Sequence, residues 1–566
     1  MKTTFENRFF RTLVLGTLSL CTFSCNLDYY PSDEQSSEAI MKDASSTIMD
    51  GCYALMKDEI EYLGWPSGNT YCRHYFQMAE FPSDNICLSG KSTDPLFQAT
   101  TYTMTDNLQN VGTLWMVGYK IIYMTNTLIE SLDPDNAADK QILGEAYFMR
   151  ALMHLNLVTL YAKPYSFGTS NPGIPLDTVV IVKDIKRNSV GEVYDQIVAD
   201  LRTAAKLLGK SRGNAGYPSR DAALGLLSRV YLYMENYSEC IATVNTMLGS
   251  AAPESKLDDN IATYFANAKT SKETLFCIAH MPTEDRAQSS IGSMYNGDGG
   301  GWGEIYPSAP LLNLYERYPM DRRYTEFIKP QYKKNAAPSA TLGVFIPNGT
   351  AGSDERRDIV SPCPATTYNA VTGNYSCNIG GTDYTIENRL VNGEYTEYHL
   401  NYKNEDLTVR ILPNNMDARN TYPKYFVTKF GYQDGSATLS SPVVLRWAEV
   451  LLNAAEAYAR TGNDTKALDI VNAIRTRAGI PAEGLFSAAN MHGYANTTDI
   501  VMDERRLELA FEGHRMFDVY RNKQDMDRRY PGLQPWKVVR YTDPYIQYPI
   551  PNAEWTVSHI EQNPGY

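Results

Sequence analysis

Past residue 25, no stretch of the chain approaches the roughly 18 consecutive apolar residues of a membrane helix. A basic surplus is missing too: 52 Lys and Arg stand against 65 Asp and Glu, a net charge of −13. Nucleic-acid recognition needs a basic face to displace counterions, and docking on anionic lipid needs the same sign, so neither is the main role. No CxxC, HExxH or GxSxG occurs, which removes common zinc, metalloprotease and hydrolase-elbow signatures. The glycine run Gly297–Glu304 (GDGGGWGE) lacks the spacing, lysine and strand–helix setting of a phosphate cradle.

Tyrosine is what the chain has in excess, 41 against 18 Phe. A flat apolar face with a hydroxyl suits wet interfaces and sugar surfaces, although most tyrosines in a chain this long are core residues. The N-terminus reads as a targeting segment (residues 1–24). Lys2, Arg8 and Arg11 precede a short apolar run, Leu13–Leu20, and then Thr22-Phe23-Ser24-Cys25. A small residue just before Cys25 fits a relaxed lipobox, making Cys25 the expected lipidation site. Cys21, behind bulky Leu20, is the competing candidate, and an ordinary secretory signal the alternative. Residues 25–40 form an acidic tether. The remaining cysteines (52, 72, 87, 240, 277, 363 and 377) are odd in number, against a full disulfide framework. Cys363 and Cys377, in one loop-like region, are candidates to pair in an oxidising compartment.

From about residue 40 the pattern is helical. Trp115, Tyr119, Ile122 and Asn126 fall at helical spacing, as do Ala146, Met149, Leu155 and Val158, and Lys163-Pro164 ends that stretch. A pair of helices is expected over 190–248. Leu226–Asn245 and Leu451–Asn472 form a weak internal repeat, an apolar helix, an Asn-containing turn and a second helix. This is the pattern of a tetratricopeptide-type pair, which buries its apolar face only by stacking on neighbours. In the later copy Leu451, Ala454, Ala455 and Tyr458 mark the packing face, with Glu449, Asn453, Glu456 and Arg460 on the other side. The stretch 285–440, rich in Gly, Asn, Thr, Tyr and Pro, reads as an irregular excursion with small strands, and loops on a rigid frame are the usual place for a binding site.

Four blocks in the C-terminal third carry a resemblance: Val444–Arg460, Ala467–Ile480, Asp503–Asp518 and Tyr548–Tyr566, which closes in QNPGY. Together they resemble the SusD/RagB family, with looser support from Trp115–Asn126 and Glu145–Tyr161. The resemblance implies an all-α fold: a scaffold of tetratricopeptide-like helix pairs (about 41–284 and 440–530), a long irregular insertion with short strands (285–440) and a C-terminal extension (531–566), as one domain from 41 to 566. It implies a non-catalytic lipoprotein on the outer face of the outer membrane that captures an oligosaccharide and hands it to a SusC-like TonB-dependent transporter. The alternatives are a peptide-capture protein of the same fold, a glycan hydrolase and a pure helical scaffold.

The charged block Glu504, Arg505, Arg506, Glu508, Glu512, His514, Arg515 and Asp518 has the look of a catalytic or metal cluster. At helical spacing it reads instead as mutually paired charges that hold a helix to its neighbours. With 65 acidic residues some carboxylate pair will always meet the about 5–9.5 Å separation of a glycosidase, and no motif singles one out. Sugar binding needs an aromatic face and Asn, Asp, Gln or Arg for the hydroxyls. Two loops combine these types. Trp302, with Tyr295, Asn296 and Tyr306, is the first; the alternative is that Trp302 folds back into the core. The second is Tyr71–Tyr102, with Tyr71, Arg73, Asp84, Asn85 and Phe97. Trp115, Trp447 and Trp555 read as core, and Trp65 and Trp536 are undecided. No cofactor is expected; a structural calcium at an acidic loop such as Asp298 is left open.

Overall fold

The computed structural model describes residues 37–62, 64–68, 70–90, 94–181, 185–348, 357–364, 367–391 and 395–566. The leader with Cys21 and Cys25, the tether to residue 36, and the side chains of Trp65 and Cys363 lie outside the described residues, and with them the lipidation site and the Cys363–Cys377 pairing.

The helical periods become helices α1 (Gln109–Ser131) and α2 (Lys140–Tyr161), which pack on each other. Trp115 is buried between Tyr119 and Tyr161, at ring-centroid distances of 4.9 and 5.0 Å. The region expected to be a helix pair holds three helices: α3 (Val190–Leu207), α4 (Arg220–Tyr233) and α5 (Tyr237–Leu248). Each begins at a side-chain cap, Ser189, Ser219 and Asn236, which satisfies a backbone N–H that the first turn leaves open.

The chain then leaves the frame. Three short strands fix its path: β1 (Ile86–Leu88), β2 (Thr274–Cys277) and β3 (Ile305–Pro307), with β1 antiparallel to β3. Helix α6 (Ala309–Glu316) follows. Next come β4 (Leu342–Asn348), β5 (Arg357–Pro364), β6 (Thr367–Tyr368), β7 (Tyr375–Ile379), β8 (Thr382–Val391), β9 (Tyr395–Tyr402) and β10 (Glu405–Pro413). They form one antiparallel seven-stranded sheet in the order β5-β4-β10-β9-β8-β7-β6. The fold is therefore helix-rich but not all-α. The expected small strands are up to ten residues long and belong to one sheet. Its inner face, Val344, Ile346, Cys377, Ile386, Leu400, Leu407 and Val409, forms a core apart from that of the frame, and β5 returns against β7 as the sheet curls.

The chain rejoins the frame through β11 (Val443–Arg446), paired with β2, and through α7 (Trp447–Arg460) and α8 (Asp464–Arg477). Helix α7 packs on α4 and α5, so the two copies of the repeat stack as helix pairs. Leu451, Ala454, Ala455 and Tyr458 are buried, as their spacing demands. The opposite face is buried too: Glu449 pairs with Arg229 at 2.5 Å and Glu456 with Arg521 at 2.5 Å, while the Asn453 amide donates to the Ser228 hydroxyl at 3.1 Å. Helices α9 (Thr497–Glu508) and α10 (Arg515–Arg521) complete the frame.

The charged block is framework. Arg446, 1 % exposed, reaches Glu273 at 2.8 Å, Glu508 at 2.6 Å and Glu512 at 2.7 Å. Arg323 pairs with Asp321, Glu504 and Glu508, and Arg505 and Arg521 share Asp518. Burial alone would raise the Glu508 pKa, yet Arg477, Arg446 and Arg323 hold it well below the carboxylate range. The closing motif has a mechanical role. The buried Asn563 amide donates to the carbonyls of Tyr161 and Tyr548, both at 2.7 Å, and ties the C-terminus to α2.

Candidate functional site

After β2 the chain runs through short 3₁₀ turns that sink and surface in alternation. Tyr295 is 2 % exposed and packs against Phe430 and Phe511, with ring centroids 6.0 and 5.7 Å away. Asn296, equally buried, accepts from the Asp298 N–H at 3.0 Å and donates to the Tyr432 hydroxyl at 3.4 Å. These two residues anchor one end of the loop. At the other end Tyr306, in β3, lies opposite Cys87 of β1 and is 1 % exposed. Glycine is required between the anchors: a Cβ on Gly301 would sit 2.0 Å from the Asn296 carbonyl oxygen, and Gly303 (φ 52°) lies against the Phe426 ring. The loop is thus pinned at both ends and cannot carry side chains at its base. Trp302 stands at its crest, half exposed at 50 %.

A second loop meets the first. The Tyr432 hydroxyl donates to Asp298 Oδ2 at 2.6 Å, and its ring is 39 % exposed. Tyr432 (φ 63°) and Asp434 (φ 51°) both occupy the left-handed region, a conformation that non-glycine residues hold only when surroundings impose it. The surroundings are Asp285, which accepts from Ser436 at 2.6 Å and from Thr438 at 2.9 Å. Burial opposes ionisation of Asp285, but those hydrogen bonds hold its pKa below the ordinary value. The Gln288 amide, exposed beside them, donates to the Gly300 carbonyl at 3.2 Å. The result is a rigid rim with two exposed rings, Trp302 and Tyr432, and Asp298, Gln288 and Asp434 as hydrogen-bonding neighbours. Sequence reasoning missed Tyr432, Gln288 and Asp434. The one local signal was an aromatic in a Gly/Asp-rich turn (GYQDG), the same composition that marked Trp302.

The expected early segment does meet this loop, through the β1–β3 pairing and through Ser89, whose hydroxyl donates to the Glu304 carbonyl at 2.7 Å. Its named residues, however, face inward. Asp84 takes Arg515 at 2.7 and 3.0 Å and also Arg506, and its pKa lies far below the carboxylate range because the two guanidinium groups outweigh burial. Asn85 donates to Glu80 and accepts from Arg506. Tyr71 is buried, stacks on Tyr75 at 5.9 Å and accepts from Asn156. Arg73 pairs with Asp94, and Phe97, half-buried, packs on the main core. Tyr295, Asn296, Tyr306, Tyr71, Asp84 and Asn85 therefore support the surface from behind, because each is covered by other parts of the chain. Trp302 alone of the expected residues stands at the rim. Trp447 is in the core, whereas Trp555 is at the surface, where its indole N–H donates to Asp106 at 2.9 Å. Among the described residues, no group of three or more His, Cys, Asp or Glu is placed to hold a metal ion.

Residues 266–566 match the sequence profile described as "SusD family", which covers more than half the chain. The chain belongs to the SusD family. Residues 27–232 match a further profile of the group, described as "Starch-binding associating with outer membrane". This SusD-family chain is 24% identical over 493 residues to SusD-like protein P2 of Formosa agariphila, covering 83% of each chain. Its fold is shared by solved crystal structures. A SusD superfamily protein from Bacteroides thetaiotaomicron superposes with a TM-score of 0.67 at 21% identity, over 92% of this chain and 99% of the other. One from Bacteroides vulgatus, described as a putative sugar binding protein, superposes at 0.63 with 20% identity, over 93% and 98%.

Proposed function

We propose that the chain is a non-catalytic glycan-capture lipoprotein of the outer membrane, with the Trp302–Tyr432 rim as its binding surface. The observation that carries this reading is a half-exposed indole on a loop whose base is locked by buried Tyr295 and Asn296 and by the close approach at Gly301. A ring held in place loses little entropy when a sugar stacks on it. The carboxylates of the charged block are committed to buried arginines, so they supply structure and not acid–base chemistry. The family descriptions, starch binding and association with the outer membrane, point the same way. Delivery to a SusC-like TonB-dependent transporter, and an acyl anchor on Cys25 that faces the protein outward, complete the proposal.

A single stacked ring contributes about 0.5–1.5 kcal/mol beyond its buried area, so Trp302→Ala is expected to weaken glycan binding about tenfold by calorimetry. Unchanged affinity would remove Trp302 from the site. New reducing ends on long incubation of the wild type would move the reading to a hydrolase, and retention of a peptide pool with no glycan bound would move it to peptide capture. Cys25→Ala is expected to release the protein from the membrane fraction; persistence there would refute lipidation at that residue.

A further inference from the structure

The seven-stranded sheet is oriented in an unusual way. A sheet inserted into a larger frame normally packs its apolar face on that frame. Here most of the apolar face curls over its own core, with Phe345 and Leu412 joining that of the frame, and Glu397, Asp406, Thr408 and Arg410 also turn toward the frame. The frame answers with Asn313 of α6, Arg317, Arg506, Arg529 and Trp536. The two walls, which also carry Leu314, Phe345, Pro347 and Tyr530, do not close on each other, and a cleft of about 590 Å³ remains, adjoining a further 290 Å³ lined by Thr396 and Tyr398. That size falls within the range of about 300–1,000 Å³ typical of ligand sites, which favour junctions of this kind.

The arginines of the cleft are paired. Arg529 is held by Asp527 at 2.7 Å, Arg506 by Asp84 at 3.3 Å, Arg317 lies 3.5 Å from Asp503, and Arg410 meets Glu316. On the sheet side Asp406 takes Arg389 at 2.6 Å. Each of these arginines is thus committed to a carboxylate and does not select an anion, while Glu397, 3.6 Å from His399, keeps a carboxylate that accepts from hydroxyls and disfavours an anionic ligand. What the walls offer is fixed, planar, hydrogen-bonding side chains and the Trp536 ring, beside the buried rings of Phe345 and Tyr530. The Asn313 amide and the Thr408 hydroxyl make no hydrogen bond to another described residue, so both are available. Paired planar groups suit vicinal hydroxyls, and the indole suits the apolar face of a sugar ring.

We infer that this cleft is a second saccharide subsite, specific for an uncharged stretch of glycan, and separate from the Trp302 rim. The inference rests on the glycan-capture reading. The segment from Gly303 through β3 to Asn313 joins the two sites along the backbone, and on this proposal a long glycan engages both while a short one is held at the rim. Two weak sites on one ligand raise affinity by effective concentration and still let each sugar go.

The test is calorimetry of the full-length protein and of the Trp302→Ala, Trp536→Ala and Asn313→Ala variants with short and long uncharged malto-, xylo- and galacto-oligosaccharides. Trp536→Ala is expected to lower affinity for the long chains about five- to tenfold and leave the short ones unchanged, with Asn313→Ala in the same direction. Trp302→Ala is expected to lower both. Wild-type affinity for long chains in the Trp536 and Asn313 variants, with loss only in Trp302→Ala, overturns the cleft and leaves the rim. Length-dependent loss in the cleft variants with none in Trp302→Ala upholds the cleft and overturns the rim. A wild type that binds none of these uncharged chains overturns both, and so does loss of peptide-pool binding alone in the cleft variants.

Discussion

Arg446→Met is expected to lower the unfolding free energy by about 3–5 kcal/mol, the usual cost of removing one partner from a buried ion network. The guanidinium sits among Glu273, Glu508 and Glu512, each essentially without solvent. Without it the connected network keeps five carboxylates, Glu273, Asp321, Glu504, Glu508 and Glu512, against four cations, Arg323, Lys429, Arg475 and Arg477, so one buried negative charge is left unbalanced. The position magnifies the effect. Arg446 is the last residue of β11 and the N-cap of α7, where the chain rejoins the frame after its long excursion, and its three partners come from the β2 approach and the end of α9. The network is thus the fastening that closes a long loop. Urea denaturation followed by circular dichroism measures the cost, and a midpoint equal to wild type would refute the role. Arg446→Met combined with Glu512→Gln is expected to recover part of the loss, because one uncompensated charge has gone.

The second large effect is acid lability. His74 and His154 are buried and have pKa values lowered by desolvation to about 3, and His280 and His514 to about 4 for the same first reason. In the unfolded chain each titrates near 6.5. The folded state therefore binds fewer protons than the unfolded state below that pH. The stabilisation is complete above pH 6.5 and is lost as pH falls toward 3–4. At pH 5 the difference is roughly 2 kcal/mol for each histidine. Glu80 works in the opposite sense: burial raises its pKa to about 6 from 4.5, which favours the folded state as pH falls through that interval. Asp177 and Glu554, raised by burial, act with Glu80. Asp84, Glu508 and Asp518, held low by their arginines, lose stabilisation with the histidines as pH falls further. Between pH 6.5 and about 5 the four histidines leave a net loss. The melting temperature is expected to be highest above pH 6.5 and to drop steeply toward pH 5; a flat profile would refute the assignment. His154 is the sharpest probe, since neither of its ring nitrogens has a hydrogen-bond partner among the described residues. His154→Phe is expected to remove its share of the pH slope.

The helical frame was legible because its signals are local. The spacing of Leu451, Ala454, Ala455 and Tyr458, and the turns at Asn236 and Asn463, specify helix pairs from a few residues each. The charged block was legible for the same reason: eight ionisable residues within fifteen positions, with no ligand spacing, have more ways to pair than to catalyse. The sheet was harder to read. Its inward face is only half apolar in sequence, with Tyr375, Tyr384, Tyr398 and Tyr402 mixed among Ile and Val, so the alternation looks like scattered polar loop. Its tight turns at Gly380-Gly381 and Lys403-Asn404 hide among many other Gly and Asn residues.

The site divides along the same line. Trp302 stood out because glycines surround it. Tyr295 and Tyr306 share that loop and composition, yet they are buried, because Phe430, Phe511 and β1 come from other parts of the chain to cover them. By itself the sequence determined the family, the stacked helix pairs and the committed charges, since periodicity and short-range pairing act within a turn or two. Only the tertiary structure decided which rings face water, that Asp84 belongs to Arg515 and Arg506, and that the sheet turns its polar face to the frame. Those outcomes depend on side chains that meet across hundreds of residues, and no local pattern records where such partners arrive.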